Sequence, residues 1–386
     1  MSDTFADELR QSLPAEMEQL NVPGCAVALI RDSVPTEILC FGTADRTSGE
    51  AVTADTRFSL QSVSKSIAAW AVITLVEQGR LDLDRPIADY HRRWTLPPSD
   101  QFDLTLVTPR RLLSHHAGVT VAGFRGVELD QTQYTLLDAM QGRLPPPNAE
   151  QTAHYEYWDL PRDDDIITVT YPPGQGWNYS NAGFGLLELA VEDITGESFA
   201  DYVARAVFAP LGMEGSYFQV PYSASRHLTT NYALLAKRPF AIDRPGKSIY
   251  QDPIPFAFGG SGLVTSPADF DRFLAMLVNR GVHQGKRVMS EAAVAMGTSN
   301  LLPDGADLTG TWVAGQHFGA GGVVGTGKDE GLFGWSGAAG TIGFAQMKMA
   351  LRTSLYVQYM PQEKLPVLAE FPKAVGADLS ARGKAP

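Results

Sequence analysis

The sequence predicts an α+β fold: an antiparallel sheet built from both ends of the chain and flanked by helices, with a mostly helical domain inserted between. Three observations carry this expectation. Runs rich in β-branched and apolar residues stand near both termini, while helical patterns fill the middle. At 386 residues the chain is long for a single small core, so one large domain or two intimately packed ones are expected. The most apolar helical run, Ala68 to Leu75, begins where Ser62 and Lys65 stand three residues apart. The boundaries that follow are 1–80 and 210–386 for a discontinuous sheet domain and 81–209 for the helical one. An irregular cover segment falls at 120–176.

Taken in order, Phe5, Leu9, Leu13, Met17 and Leu20 repeat at helical spacing over 3–20, and Val22-Pro23-Gly24 ends that helix. CAVALI (25–30) and TEILCFG (36–42) read as strands joined by a hairpin turn at Arg31–Pro35. The central helix within Phe58–Leu75 follows and stops near Gly79. Pro86 opens a short helix in the extended link 81–90. PRRLLSHHAGV (109–119) reads as a helix ended by Gly118.

Residues 120–176 are irregular. They hold Pro145-Pro146-Pro147, the aromatics Tyr155, Tyr157 and Trp158, and the acidic run Asp163–Asp165. Aromatics in so long a loop argue for an ordered cover over a substrate pocket. Helices are expected at 181–196 and 198–212, at 266–281 with Ser266 as N-cap and Pro267 in the first turn, and at 290–298 capped by Ser290. A glycine-rich region at 315–343, a strand at 349–360 and a terminal helix at 362–376 complete the chain.

Composition excludes several classes. Acidic residues number 43 against 31 basic, a net charge of −12, and no basic patch stands out, so no nucleic-acid partner is expected. No window approaches 18 uninterrupted apolar residues, so no membrane span is expected. The N-terminal stretch MSDTFADELRQSL is polar and acidic, unlike a signal peptide, which points to a cytoplasmic location. Cys25 and Cys40 read as buried free thiols suited to a reducing compartment; a bridge between neighbouring strands is the alternative. The histidines show no metal-ligand spacing, and neither a metal nor a cofactor is implied. GVVGTGK (322–328) imitates a phosphate-binding loop, but Asp329 stands where a Ser or Thr would hold magnesium.

The chemistry-bearing residues fall in three places. Positions i and i+3 share a helix face, so the Lys65 ammonium can lie against the Ser62 hydroxyl. A serine hydroxyl becomes a useful nucleophile once a neighbour takes its proton, and a lysine can do so when burial lowers its pKa. The bland reading makes Ser62 a helix cap and Lys65 a surface residue. In PPGQGWNYSNAGFG (172–185), Tyr179 and Asn181 stand two apart at a loop-to-helix junction. The tyrosine could shuttle a proton and the asparagine could hold Lys65; the alternative is a packed Tyr beside an Asn N-cap. Gly334-Trp335-Ser336-Gly337-Ala338 lies on an expected strand whose small residues allow close approach of a substrate.

Six stretches occur in order: FSLQSVSKSIAA, RRLLSHHAG, PPGQGWNYSNAGFGLLE, FAPLGM, GGSGLVTSPADFDRFL and FGWSGAAGT. Together they resemble the class C β-lactamase-like serine hydrolases from about residue 20 to 360. That superfamily spans β-lactamases, D-stereospecific peptidases and amidases, and the family VIII carboxylesterases, whose motif pattern is nearest. The resemblance implies a β-lactamase/penicillin-binding-protein-like fold with the active site between its domains. It makes Ser62 the acylated nucleophile, Lys65 and Tyr179 the base system, and Asn181 the third member of the Tyr-x-Asn motif. Trp335, Ser336 and Gly337 take the place of the lactamase Lys-Thr-Gly, and the backbone N–H groups of Ser62 and Ala338 form the oxyanion hole. His115 matches a structural histidine.

The departure is Trp335. A tryptophan offers no positive charge for an antibiotic's carboxylate and adds a large apolar face, as in the family's esterases. The expected partner is therefore a small-molecule substrate, an ester of a short or medium acid. The alternatives are amide or D-peptide hydrolysis, acyl transfer, weak β-lactam turnover, or a non-catalytic penicillin-binding-like module.

Overall fold

The computed structural model describes residues 4–31, 38–120, 133–144, 166–235, 238–360, 371 and 373–377. All but the first residue of the hairpin turn expected at Arg31–Pro35, the Pro145–Pro147 run, the aromatics Tyr155, Tyr157 and Trp158, the acidic run, and most of the terminal helix lie outside them. Helix α1 (Thr4–Leu20) buries Leu9, Leu13 and Met17. Strands β1 (Gly24–Arg31) and β2 (Ile38–Gly42) pair antiparallel with Gly24 opposite Gly42. Near the other end run β3 (His317–Phe318), β4 (Val323–Val324), β5 (Leu332–Gly337), β6 (Thr341–Gln346) and β7 (Leu351–Tyr356).

These seven strands form one sheet in the order β2-β1-β7-β6-β5-β4-β3, antiparallel throughout. The seam between the chain's two ends is β1 on β7, with Ala26 opposite Tyr356. The expected sheet is thus present and joins residues more than 300 positions apart in sequence. The cysteines lie on β1 and β2 as free thiols, and burial pushes both thiol pKa values up.

The central helix α2 (Ser64–Glu77) is the core of the molecule. Every residue from Ser64 to Ile73 is buried, together with Leu75. A helix apolar on all sides must be enclosed on all sides. Trp70 meets the edge of Phe273 at 5.4 Å and Phe333 at 5.3 Å, which ties α2 to helix α7 (Pro267–Val278) and to β5. Each fully buried Ile or Leu here contributes about 1.5–3 kcal/mol. One hydrophobic cluster runs from α2 through Leu186, Leu189, Phe270 and Phe333, so helices and sheet share it.

Between α2 and the later strands come α3 (Pro109–Leu113), α4 (Leu136–Met140), α5 (Asn181–Thr195) and α6 (Phe199–Val203). Helix α6 passes through a π-helical turn at Ala204–Phe208 into Ala209–Leu211, and left-handed Gly212 closes it. Ser266 and Ser290 cap α7 and helix α8 (Glu291–Gly297) as expected. Among the described residues no helix is long and apolar enough to cross a membrane.

Three expectations need correction. The helix placed at 109–119 ends at Leu113, because His115 takes a left-handed φ of 61° and turns the chain away. The strand placed at 349–360 is β7 plus a separate two-residue strand, Tyr359–Met360, in another sheet. Ala338 lies beyond the end of β5, exposed in the turn 338–340.

Candidate active site

A single 3₁₀ turn, Gln61–Val63, leads into α2 and carries Ser62, which is half-buried. Its entry is pinned from three sides. Gln61 has a left-handed φ of 49°, a conformation that a non-glycine residue holds only when its surroundings enforce it. The Gln61 amide donates to Ser59 Oγ at 3.1 Å and to the Tyr250 hydroxyl at 2.6 Å. The Leu60 carbonyl accepts from Thr341 Oγ1 at 2.8 Å. Ser62 is thus presented on a strained, braced turn at the tip of the buried central helix.

One turn further on, Lys65 is fully buried. Its ammonium donates to Asn181 Oδ1 at 2.6 Å, to the Gly260 carbonyl at 2.8 Å and, at a longer 3.5 Å, to Ser62 Oγ. These use all three of its donors, and all three acceptors are uncharged. Hydrogen bonds alone would favour the ammonium, but burial outweighs them and holds the pKa well below the usual lysine value. A neutral amine beside a serine hydroxyl can accept its proton.

Tyr179 closes the other side. Its hydroxyl is hydrogen-bonded to Ser62 and accepts the Trp335 indole N–H at 3.0 Å. The Tyr179 ring centroid lies 4.6 Å from Lys65 Nζ. Burial pushes the phenol pKa up. The N-cap of α5 is Ser180, whose hydroxyl accepts from Gly183 N at 3.0 Å. Asn181 is therefore not the cap, and its side chain is free to bind Lys65.

Across from Ser62, Gly337 permits the approach of β5. A Cβ there would lie 2.3 Å from the Leu60 carbonyl oxygen and 3.1 Å from Gln61 Cβ, so no larger residue fits. Half-buried Ser336, buried Gly337 and exposed Ala338 thus stand beside the turn that carries Ser62. The structure brings Ser62, Lys65, Tyr179, Asn181 and Trp335 into one hydrogen-bonded cluster with the end of β5 against it.

An aromatic wall continues from Trp335. Trp312 meets Tyr179 at 5.1 Å and Trp335 at 5.5 Å, while Phe318 meets Trp335 at 5.2 Å and Trp177 at 5.7 Å. Trp312 is 67% exposed although the rings it touches are mostly covered. His115 packs 4.4 Å from the Tyr179 ring, and its Nδ1 accepts the Ser180 N–H at 3.1 Å. Burial and then the Lys65 charge hold His115 well below the usual histidine pKa, so it is a neutral ring in the wall.

Sequence reasoning missed the Gly260 carbonyl, Glu188, and the wall residues Trp177, Trp312 and Phe318. GGSG at 259–262 was the available signal for the carbonyl; no local pattern marks a single tryptophan in a loop. A cavity of about 460 Å³ lined by Asn300, Asp304, Asp307, Gln316 and His317 contains none of the predicted site residues. No group of three or more His, Cys, Asp or Glu suited to a metal occurs among the described residues.

Comparison with known proteins agrees with this arrangement. A family model described as Beta-lactamase matches residues 9–366. Penicillin-binding protein 4 of Amycolatopsis lactamdurans is 30% identical over 326 residues, 83% of this chain and 74% of that protein. Esterase EstB of Burkholderia gladioli is 32% identical over 194 residues, 47% of this chain and 45% of that protein. Among solved structures, EstCE1, described as a hydrolase with promiscuous acyltransferase activity, superposes with a TM-score of 0.72 at 21% identity. That alignment covers 96% of this chain and 98% of EstCE1. Simvastatin synthase (LovD) of Aspergillus terreus gives a TM-score of 0.72 at 17% identity, over 99% of each chain.

Proposed function

The chain belongs to the β-lactamase family, a fold family of serine hydrolases, and from that premise we propose that it cleaves carboxylic esters through an acyl-enzyme on Ser62. Lys65 is the resting-state base: burial drives it toward the neutral amine and drives Tyr179 away from the phenolate. Ser62 Oγ attacks the ester carbonyl while its proton passes to Lys65 Nζ. The tetrahedral oxyanion is held by the backbone N–H groups of Ser62 and Ala338. On collapse the C–O bond to the leaving group breaks. The departing alkoxide takes a proton from Tyr179, and Lys65 passes on to Tyr179 the proton it took from Ser62. Water then attacks the acyl carbonyl and gives up a proton along the same route, releasing the acid and Ser62.

Trp335 carries the ester reading. Its indole donates to the hydroxyl that assists Ser62 and joins an aromatic wall, at the place where a β-lactamase has a lysine. A site walled by Trp177, Trp312 and Trp335 favours an uncharged apolar acyl or alkoxy group. The test is a panel on purified protein: p-nitrophenyl esters of graded length, a chromogenic cephalosporin, and D- and L-aminoacyl amides, each with and without an added alcohol as acceptor. Ester turnover exceeding that of the cephalosporin and amides by at least about 100-fold is expected. Faster amide or cephalosporin cleavage overturns the reading.

A further inference from the structure

Glu188 takes no part in the chemistry above, yet it is 1% exposed and lies on α5, two turns beyond Asn181. Its carboxylate accepts from Gly259 N at 2.7 Å and from Ala257 N at 3.2 Å, with a further backbone bond from Phe258. The segment it grips is unusual. Phe258 has a left-handed φ of 57°, and its carbonyl accepts from both Ser261 N at 2.8 Å and Gly262 N at 2.7 Å. The second carbonyl after the last clamped N–H group, that of Gly260, is the one that accepts from Lys65 Nζ at 2.8 Å.

We infer that Glu188 is a positioning residue for the base: it fixes the 257–260 turn so that the Gly260 carbonyl holds Lys65 against Ser62. The inference rests on the ester-hydrolase reading only for its kinetic consequence, since the placement of Lys65 can be read directly. A carboxylate suits the task because it only accepts, whereas each group facing it is an N–H donor. Leaving such donors unpaired in the interior is expensive, so the anion and the turn specify one another.

The charges around Glu188 are few. Glu192 stands one turn on along α5, Lys65 lies beyond the gripped turn on α2, and α6 offers the ring of Phe199. The turn itself, Ala257 to Gly260, carries no titratable side chain. Burial, with Glu192 adding to it, pushes the Glu188 carboxyl up to about 8. The clamp is therefore complete only toward alkaline pH, where the carboxylate is ionised.

Glu188→Gln tests this. The glutamine keeps the shape, but its NH₂ faces one of the N–H donors and cannot accept from it. The Lys65 titration is followed by NMR on protein carrying ¹³Cε-lysine, alongside kcat, KM and the melting temperature. Losing the carbonyl that favours the ammonium, and the nearby anion, should lower the Lys65 midpoint by about one pH unit. The kcat on p-nitrophenyl esters should fall about tenfold with KM within about twofold, and the wild-type rise in kcat near pH 8 should be absent in the variant. An unchanged Lys65 midpoint and pH profile in a folded variant overturns the inference, as does a loss of activity that follows melting temperature alone. If wild type turns over none of the esters while the Lys65 midpoint still drops in the variant, the positioning role stands and the ester reading falls.

Discussion

Lys65 and Arg352 are both cations taken out of water, and they are treated in opposite ways. Arg352 on β7 donates from Nε to Asp271 Oδ1 at 2.7 Å and from Nη2 to Oδ2 at 3.3 Å, a forked ion pair that ties the sheet to α7. Lys65 on α2 is buried more completely but meets an amide oxygen, a backbone carbonyl and a hydroxyl. A guanidinium cannot give up its proton, so burying it requires an anion beside it. A lysine can escape the cost of burial by becoming neutral. The same burial that makes Arg352 a fastener makes Lys65 a base.

The comparison can be broken at either cation. The largest effect is expected from Lys65→Arg, which keeps a charge that cannot leave. Ester turnover should fall about 10⁴-fold, measured as kcat/KM. Lys65→Met should lose activity comparably while its melting temperature does not fall, since a desolvated polar amine gives way to an apolar chain of similar length. A variant retaining a tenth of wild-type activity would remove Lys65 from the base system.

Breaking the other pair should do the reverse. Asp271→Ala strands the Arg352 charge and should cost about 3–5 kcal/mol in urea unfolding, while kcat per folded molecule is retained. The double replacement Asp271→Leu with Arg352→Met should recover most of that stability. Stability unchanged in the single variant would show that the pair is not the fastener described.

The pH dependence separates the two cations without mutation. Because the Lys65 pKa is lowered in the fold, kcat/KM should rise with pH through a midpoint well below the usual lysine value. The folded state binds fewer protons than the unfolded chain between that midpoint and the ordinary lysine value. Stability should therefore also rise with pH across that window, as far as Lys65 contributes. A pH-independent rate contradicts a titrating base.

The smallest effect is expected at the wall. Trp312→Ala removes an exposed ring from the cluster around Tyr179 and Trp335. It should raise KM for long or aryl esters about fivefold and leave the acetate ester nearly unchanged. Equal changes for both esters would place Trp312 outside the acyl site.

Much of this was legible in the sequence for a physical reason. Ser62 and Lys65 lie within one turn, and Tyr179 and Asn181 within one junction, so helix geometry alone groups each pair. The sheet was legible at its first strands because β1 and β2 fall on short, mostly apolar runs on either side of a turn pattern. What stayed hidden depends on distant packing. His115 ends α3 early because its ring is wanted among Trp177, Tyr179, Phe184 and Phe318, and that demand overrides a good helical pattern. The cap of α5 is decided by Ser180, which turns to Gly183 while Asn181 turns to Lys65. The Gly260 carbonyl and its Glu188 clamp are backbone features, and no residue type announces a carbonyl.

The most direct measurement is rapid quenching of the protein with a slow p-nitrophenyl ester, followed by intact mass and peptide mapping. The account predicts one acyl group per chain, located on Ser62, formed as a burst before steady turnover and absent in Ser62→Ala. Steady turnover with no acylated protein, or an acyl group on any residue other than Ser62, would contradict it.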